Sequence, residues 1–215
     1  MTGYQEIFTD PSYFGQIMVT TNTHIGNYGI EKHESQSKGI SIAGLICKDF
    51  SFNFSRPSGT ESLFDYLRSH KLVTICDVDT RALVNYIREN GAVNAVISTN
   101  IGTEKKLLKE LESSPSMEGL ELASKVSTKK SYTVGNPHSK YRIAAIDLGV
   151  KQNILHNMVE RNMFVKVFPY DTSYKELEAF KPDGYFISNG PGDPLPLKGV
   201  QSVAKTIIEN NKPLF

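Results

Sequence analysis

Ser188-Asn189-Gly190-Pro191-Gly192-Asp193-Pro194 follows directly on the apolar run Gly184-Tyr185-Phe186-Ile187. Two glycines and two prolines in this span end a strand and hold the chain in an open turn, because proline lacks a donor and glycine spreads the backbone over many conformations. Such a loop can aim N–H groups at an oxyanion or a carboxylate, and its glycines let a substrate approach the main chain closely. An isolated glycine-proline turn is ordinarily a tight surface connection. The setting favours a site here, since ligands of open parallel sheets sit outside the carboxyl ends of the strands.

Cys47 and Cys76 are the only cysteines, and both lie in apolar, strand-like surroundings, Leu45-Ile46-Cys47 and Val73-Thr74-Ile75-Cys76. Neither follows a strand with a glycine-flanked turn into a helix, the setting of an exposed nucleophile. Two buried free thiols in a reducing compartment are therefore expected, rather than a disulfide or a metal pair. His24 and His33 have no second ligand at metal-binding spacing and read as exposed or capping residues, so no metal is expected.

The elements that must position the loop follow from apolar spacing. In 215 residues, 39% hydrophobic and 22% charged, there is room for two modest cores. A formal net charge of +1 gives no electrostatic reason to expect nucleic acid or an anionic membrane as partner. No apolar run is long enough to span a bilayer, and Met1-Thr2-Gly3-Tyr4-Gln5-Glu6 shows no secretory pattern, which points to the cytoplasm.

Strands are expected over 16–21, 40–46, 73–76 and 92–98. A helix after Arg56-Pro57 takes Ser58 and Glu61 as a capping box, with Leu63, Phe64 and Leu67 on its apolar face. Asp79 or Thr80 caps a helix carrying Leu83, Val84 and Ile87 and ending at Asn90-Gly91, and Thr103 opens another with Leu107, Leu108 and Leu111. These irregularly mixed elements imply an α+β domain over 1–126, followed by a connecting segment at 127–140, which lacks apolar periodicity.

From 141 the rhythm changes. Strands at 142–146, 164–168 and 184–187 alternate with helices at 153–161, 173–180 and 199–211, the mark of a doubly wound parallel sheet. Lys212-Pro213-Leu214-Phe215 reads as the opening of a fourth strand. The fold class is thus α/β: an amino-terminal α+β domain, then a doubly wound domain over 141–215, incomplete at its carboxyl end.

Six stretches carry a resemblance in register: Met1 to Ile7, Thr9-Asp10-Pro11-Ser12-Tyr13, His24-Ile25-Gly26-Asn27, Asp77-Val78-Asp79-Thr80-Arg81, Asp147 to Leu155, and Ser188 to Pro194. Together they resemble the small, glutamine-hydrolysing subunit of carbamoyl-phosphate synthetase. The resemblance implies an amino-terminal domain that docks on a large subunit and a class I glutamine amidotransferase domain. It implies L-glutamine as substrate, hydrolysed by a cysteine nucleophile, a histidine base and an orienting glutamate. The ammonia would pass to the large subunit, where ATP, Mg and bicarbonate yield carbamoyl phosphate for arginine and pyrimidine synthesis. No cofactor is implied for the small subunit itself.

By the same resemblance the Gly190 N–H is the candidate oxyanion donor, Gly190 and Gly192 line the glutamine pocket, and Ser12 reaches the bound glutamine. For Ser12 a turn-capping hydroxyl is an equally good reading of the residue alone. The family's nucleophile elbow, histidine and glutamate would lie beyond Phe215, and a β-rich segment would precede the amino-terminal stretch. The expectation is a fragment with no catalytic residue in this chain and no activity alone. The alternatives are a non-catalytic module that binds the large subunit and another class I amidotransferase. A dinucleotide-binding domain fits poorly, since Asp147-Leu148-Gly149-Val150 lacks the spaced glycines.

Overall fold

The computed structural model describes residues 3–100 and 104–215. Met1 and Thr2 of the first quoted stretch, and Thr103, lie outside the described residues. Two compact units divide the chain, Met1–Ser116 and Met117–Phe215.

In the amino-terminal unit the elements are α1 (Tyr4–Thr9), β1 (Ile17–Val19), β2 (His24–Ile25), β3 (Gly44–Ile46), β4 (Asp49–Phe50), α2 (Leu63–Ser69), β5 (Val73–Ile75), α3 (Thr80–Asn90) and α4 (Glu104–Ser113). The three-stranded sheet runs β1-β3-β5, and β2 pairs with β4; every one of these pairings is parallel. Parallel neighbours need long crossovers, and the segments 20–43 and 47–72 supply them. Tyr4 and Phe8 of α1 and Leu63, Tyr66 and Leu67 of α2 close on Ile25, Leu45 and Cys47 to form the core.

The Gly3-Tyr4-Gln5-Glu6 stretch has a structural task in this unit. The Tyr4 ring stacks on Tyr28 at 4.2 Å and its hydroxyl donates to the Gly29 carbonyl at 2.6 Å. Gln5, fully buried, donates from Nε2 to the Glu31 carbonyl and accepts the Glu31 N–H on Oε1, at 2.6 and 2.8 Å. A buried amide satisfied at both ends fixes the 28–31 loop against α1.

Several expectations for this unit need correction. The cap of α2 is Ser62, whose hydroxyl accepts the Asp65 N–H, and not Ser58. Residues before it are engaged elsewhere: Thr60 N–H donates to the Ile30 carbonyl, and Ile30 N–H donates to that of Glu61. Residues 92–98 form no strand, and Val93 and Val96 stay exposed. Cys47 is buried as expected, but Cys76 is exposed. Asp79 does cap α3, accepting the Ala82 N–H at 3.0 Å.

The carboxy-terminal unit contains α5 (Ala123–Val126), β6 (Tyr132–Val134), β7 (Tyr141–Ile146), α6 (Gln152–Glu160), β8 (Met163–Phe168), α7 (Tyr174–Glu178), β9 (Gly184–Ile187) and α8 (Lys198–Glu209). Its sheet runs β6-β8-β7-β9, with β6 antiparallel and the other pairs parallel. Residues 213–215 add a parallel rung on the far side of β9, through Tyr185 N–H to Pro213, Phe215 N–H to Tyr185 and Ile187 N–H to Phe215.

Alternation along the strands splits the core in two. Ala144, Ile146, Phe164, Phe168 and Tyr185 meet Leu177 of α7 and Val200, Val203 and Ile207 of α8. Ala145, Val165, Val167 and Phe186 meet Leu155 of α6 on the opposite face. A parallel sheet covered on both sides is the doubly wound arrangement.

The segment 127–140 is not a free connection. Ser127 is buried and its hydroxyl accepts the Tyr170 N–H at 3.0 Å, the Thr128 N–H donates to Asp147 at 2.7 Å, and β6 pairs with β8. The compact units also part earlier than the boundary expected at 126.

Candidate functional site

The crossover through α6 carries the chain from β7 to β8 on one side, whereas β9 lies on the other side of β7. Strand order therefore reverses between β7 and β9, and the carboxyl ends of these strands are the usual ligand position of such sheets. Two turns lie there: Asp147 to Val150 after β7, and Ser188 to Gly192 after β9.

Asp147 organises the first turn. It is buried, and its Oδ1 accepts the N–H groups of Gly149 and Val150 at 2.9 and 2.8 Å, while Oδ2 accepts that of Thr128. Gly149 takes φ 122°, a conformation that favours glycine. Ser188 joins this turn to the second. Its hydroxyl accepts the Leu148 N–H at 2.9 Å and donates to the Asn189 carbonyl at 2.7 Å, and its own N–H donates to Ile146 at 3.1 Å.

Gly190 sits where these braces converge. A Cβ there would lie 2.9 Å from Leu148 Cβ and would overlap the Leu148 carbonyl oxygen. Only a residue without a side chain fits, although its φ is not in the left-handed region. The residue is exposed, and within its unit no acceptor meets its N–H. An exposed, unengaged donor on a braced backbone is the element that an oxyanion or carboxylate site requires.

Gly192 is held differently. It takes φ 79°, and a Cβ there would lie 2.5 Å from the Leu120 carbonyl oxygen. Glu121 and Gly192 form an isolated antiparallel bridge, and the Asp193 N–H donates to Leu120 at 2.9 Å. Asp193 completes the clamp: Oδ1 accepts the Leu195 N–H and Oδ2 the Gly119 N–H, both at 2.8 Å.

The Leu195 N–H, then that of Gly119, hold the Asp193 carboxyl below the ordinary aspartate range. A depressed folded-state value means that the clamp contributes fully above the unfolded value of about 3.9 and is lost as pH falls through the lower folded one. Protection of the Gly119 and Leu195 amides, taken relative to their intrinsic exchange rates, is thus expected to fall on acidification below about pH 4. In Asp193→Asn, followed by the same NMR exchange measurement, that acid step should be missing; a step of equal size in both proteins would refute the clamp.

Ser12 lies in the amino-terminal unit, in the 3₁₀ turn Pro11–Tyr13, where its N–H donates to the capping Asp10 Oδ1 at 2.9 Å. Gly190 and Gly192 lie together in the carboxy-terminal unit. Cys47 is buried in the amino-terminal core, and burial first, then Cys76 and Asp49, push its thiol up to about 11. That is the opposite of nucleophile activation. His24 is exposed with Nδ1 3.7 Å from Asp49 Oδ2. Among the described residues no group of three or more His, Cys, Asp or Glu side chains is placed to hold a metal ion, and no helix is long and apolar enough to cross a membrane.

The braces Asp147 and Ser188 were not singled out by the sequence reading as site residues. A signal for the first exists: an aspartate immediately after an apolar strand with glycine two residues on is the pattern of a carboxylate accepting local N–H groups.

Residues 1–97 match the family model "Carbamoyl-phosphate synthase small chain, CPSase domain", and residues 144–215 match "Glutamine amidotransferase class-I". Three similar proteins, each named carbamoyl phosphate synthase small chain, are from Synechococcus sp., Nostoc sp. and Pasteurella multocida, at 40%, 39% and 39% identity. In each case the whole of this chain is matched, against 58%, 59% and 59% of the relative. Two domain matches in the same order, and a likeness that runs the length of the chain, make it similar to carbamoyl phosphate synthase small chains, of whose length it spans less than two thirds.

Proposed function

We propose that the carboxy-terminal unit provides part of a glutamine amidotransferase site, with the Gly190 N–H as one oxyanion donor and Gly190 and Gly192 against the glutamine side chain. The observation that carries this reading is the exposed Gly190 donor, braced and unengaged, at the point where strand order reverses. Ser12 is assigned to glutamine on the family resemblance alone.

In the whole small chain, a cysteine thiolate attacks the side-chain amide carbon, the carbonyl oxygen becomes an oxyanion, and ammonia leaves a thioester that water hydrolyses to glutamate. Each tetrahedral stage needs fixed N–H donors, which is the part residues 188–192 play. The amino-terminal unit binds a large subunit, which consumes the ammonia with ATP, Mg and bicarbonate to make carbamoyl phosphate. Neither Cys47 nor Cys76 suits the role of nucleophile, so residues 1–215 by themselves are expected not to hydrolyse glutamine.

Titration of the 215-residue chain with L-glutamine, followed by amide NMR, tests the assignment. The Gly190 and Gly192 resonances should move with L-glutamine and not with D-glutamine, and no glutamate should form. Binding to a carbamoyl-phosphate synthetase large subunit with unmoved Gly190 and Gly192 would favour a docking module without a substrate site. Release of glutamate above a blank would overturn the placement of the nucleophile.

A further inference from the structure

The two cysteines each follow the last paired residue of neighbouring parallel strands. Ile46 of β3 pairs with Ile75 of β5 in parallel, and the Cys47 N–H donates to the Ile75 carbonyl at 3.0 Å, so Cys47 and Cys76 are the next positions in register after the last pair. Strands lie about 4.8 Å apart, inside the ~4.4–6.8 Å Cα separation that a disulfide spans, and opposite residues project to the same face.

The ladder loosens immediately afterwards. Asp77 adopts φ 62°, and its N–H donates past the expected rung, to the Lys48 carbonyl at 2.8 Å. The cysteine pair therefore lies just past the last registered pair, Ile46 with Ile75, where the regular strand pairing ends. Exposure differs across the pair: Cys76 is open to solvent, and Cys47 is sealed in the core with its Sγ 3.7 Å from the Ile75 carbonyl oxygen. Cys76 is also among the causes that raise the Cys47 thiol.

We propose that Cys47 and Cys76 are a redox modification site, forming a reversible disulfide between β3 and β5 on exposure to a peroxide. The exposed Cys76 sulfur attacks one peroxide oxygen; the O–O bond breaks, one water leaves and a sulfenic acid forms. Cys47 Sγ then attacks that sulfur, the S–O bond breaks, and its hydroxide leaves as a second water with the Cys47 proton. Two thiols give up two electrons and two protons, and one hydrogen peroxide is reduced to two waters. The bridge would tie β3 to β5 and enclose β4 and α2 in a covalent loop.

The 215-residue chain, treated with hydrogen peroxide under native conditions and digested without reduction, should yield a peptide pair joined through Cys47 and Cys76. Free thiols should fall from two per chain to none, and dithiothreitol should restore both. In Cys76→Ser, Cys47 should stay a titratable thiol after the same treatment, because the sealed sulfur has no exposed partner to receive the oxidant first. Substituting Cys47 risks the core, so the peptide map of the unaltered chain and the Cys76→Ser comparison carry the test. Sulfinic or sulfonic acid at Cys76 with Cys47 still alkylatable on unfolding, or a Cys76–Cys76 bridge between two chains, would overturn the proposal.

Discussion

Gly190→Ala should destabilise the carboxy-terminal unit by about 1–3 kcal/mol, the range for forcing extra carbon into a packed site. The added carbon meets the Leu148 backbone, which cannot retreat: Asp147 holds the turn through Gly149 and Val150, and Ser188 holds the Leu148 N–H itself. The loop must move instead, and the donor moves with it. On the proposed reading, glutamine hydrolysis by a longer small chain assembled with a large subunit should fall about 100-fold, as expected for loss of one oxyanion donor.

Urea unfolding and a glutaminase assay read the two effects. Gly199→Ala, in the first turn of α8 with open space around the added carbon, is the control and should be neutral or slightly stabilising. Equal behaviour of the two variants would show that nothing special happens at 190.

The second large effect is at Asp147. Replacement by alanine withdraws the acceptor from three N–H groups at once, those of Gly149, Val150 and Thr128. Unsatisfied buried donors cost about 1–3 kcal/mol each, and water entering the space left by the carboxylate recovers part of that, so a net loss of about 3–4 kcal/mol is expected. Asp147→Asn should lie in between, because one amide oxygen can keep Gly149 and Val150 while the NH₂ group opposes the Thr128 N–H. Urea midpoints order the three proteins. A midpoint for Asp147→Ala within error of the parent would mean that the turn holds itself without the carboxylate.

Much of the carboxy-terminal unit was legible because strands buried on both faces read as continuous apolar runs. Ile143 to Ile146, Phe164 to Phe168 and Gly184 to Ile187 were placed to within a residue or so, and the Ser173–Glu176 capping box marks the start of α7. The antiparallel strand β6 went unread because three residues with two exposed side chains carry no periodicity. Its strand character comes from β8 alone, a tertiary effect on a weak local preference.

The amino-terminal unit gave less away, for reasons visible in particular residues. Ser58 and Ser62 each have an acidic residue three positions on, so spacing could not choose between them. The choice is made by the bonds of Thr60 and Glu61 to Ile30, a contact thirty residues distant in sequence. Val93 and Val96 have the composition of a strand but no ladder, and Asn94 between them spends its side chain on the Ser114 and Pro115 carbonyls. As for the site, the sequence showed the loop but not what fixes it, since braces such as Ser188 act on residues forty positions away.

The meeting of Gly190 with the Leu148 carbonyl gives the donor loop an assembly order. Neither turn has its final shape until β7 and β9 lie side by side, so the geometry cannot be rehearsed by either segment alone. A nascent chain acquires it in one step, when the third parallel strand docks, and a fluctuation that parts those two strands dissolves it as completely.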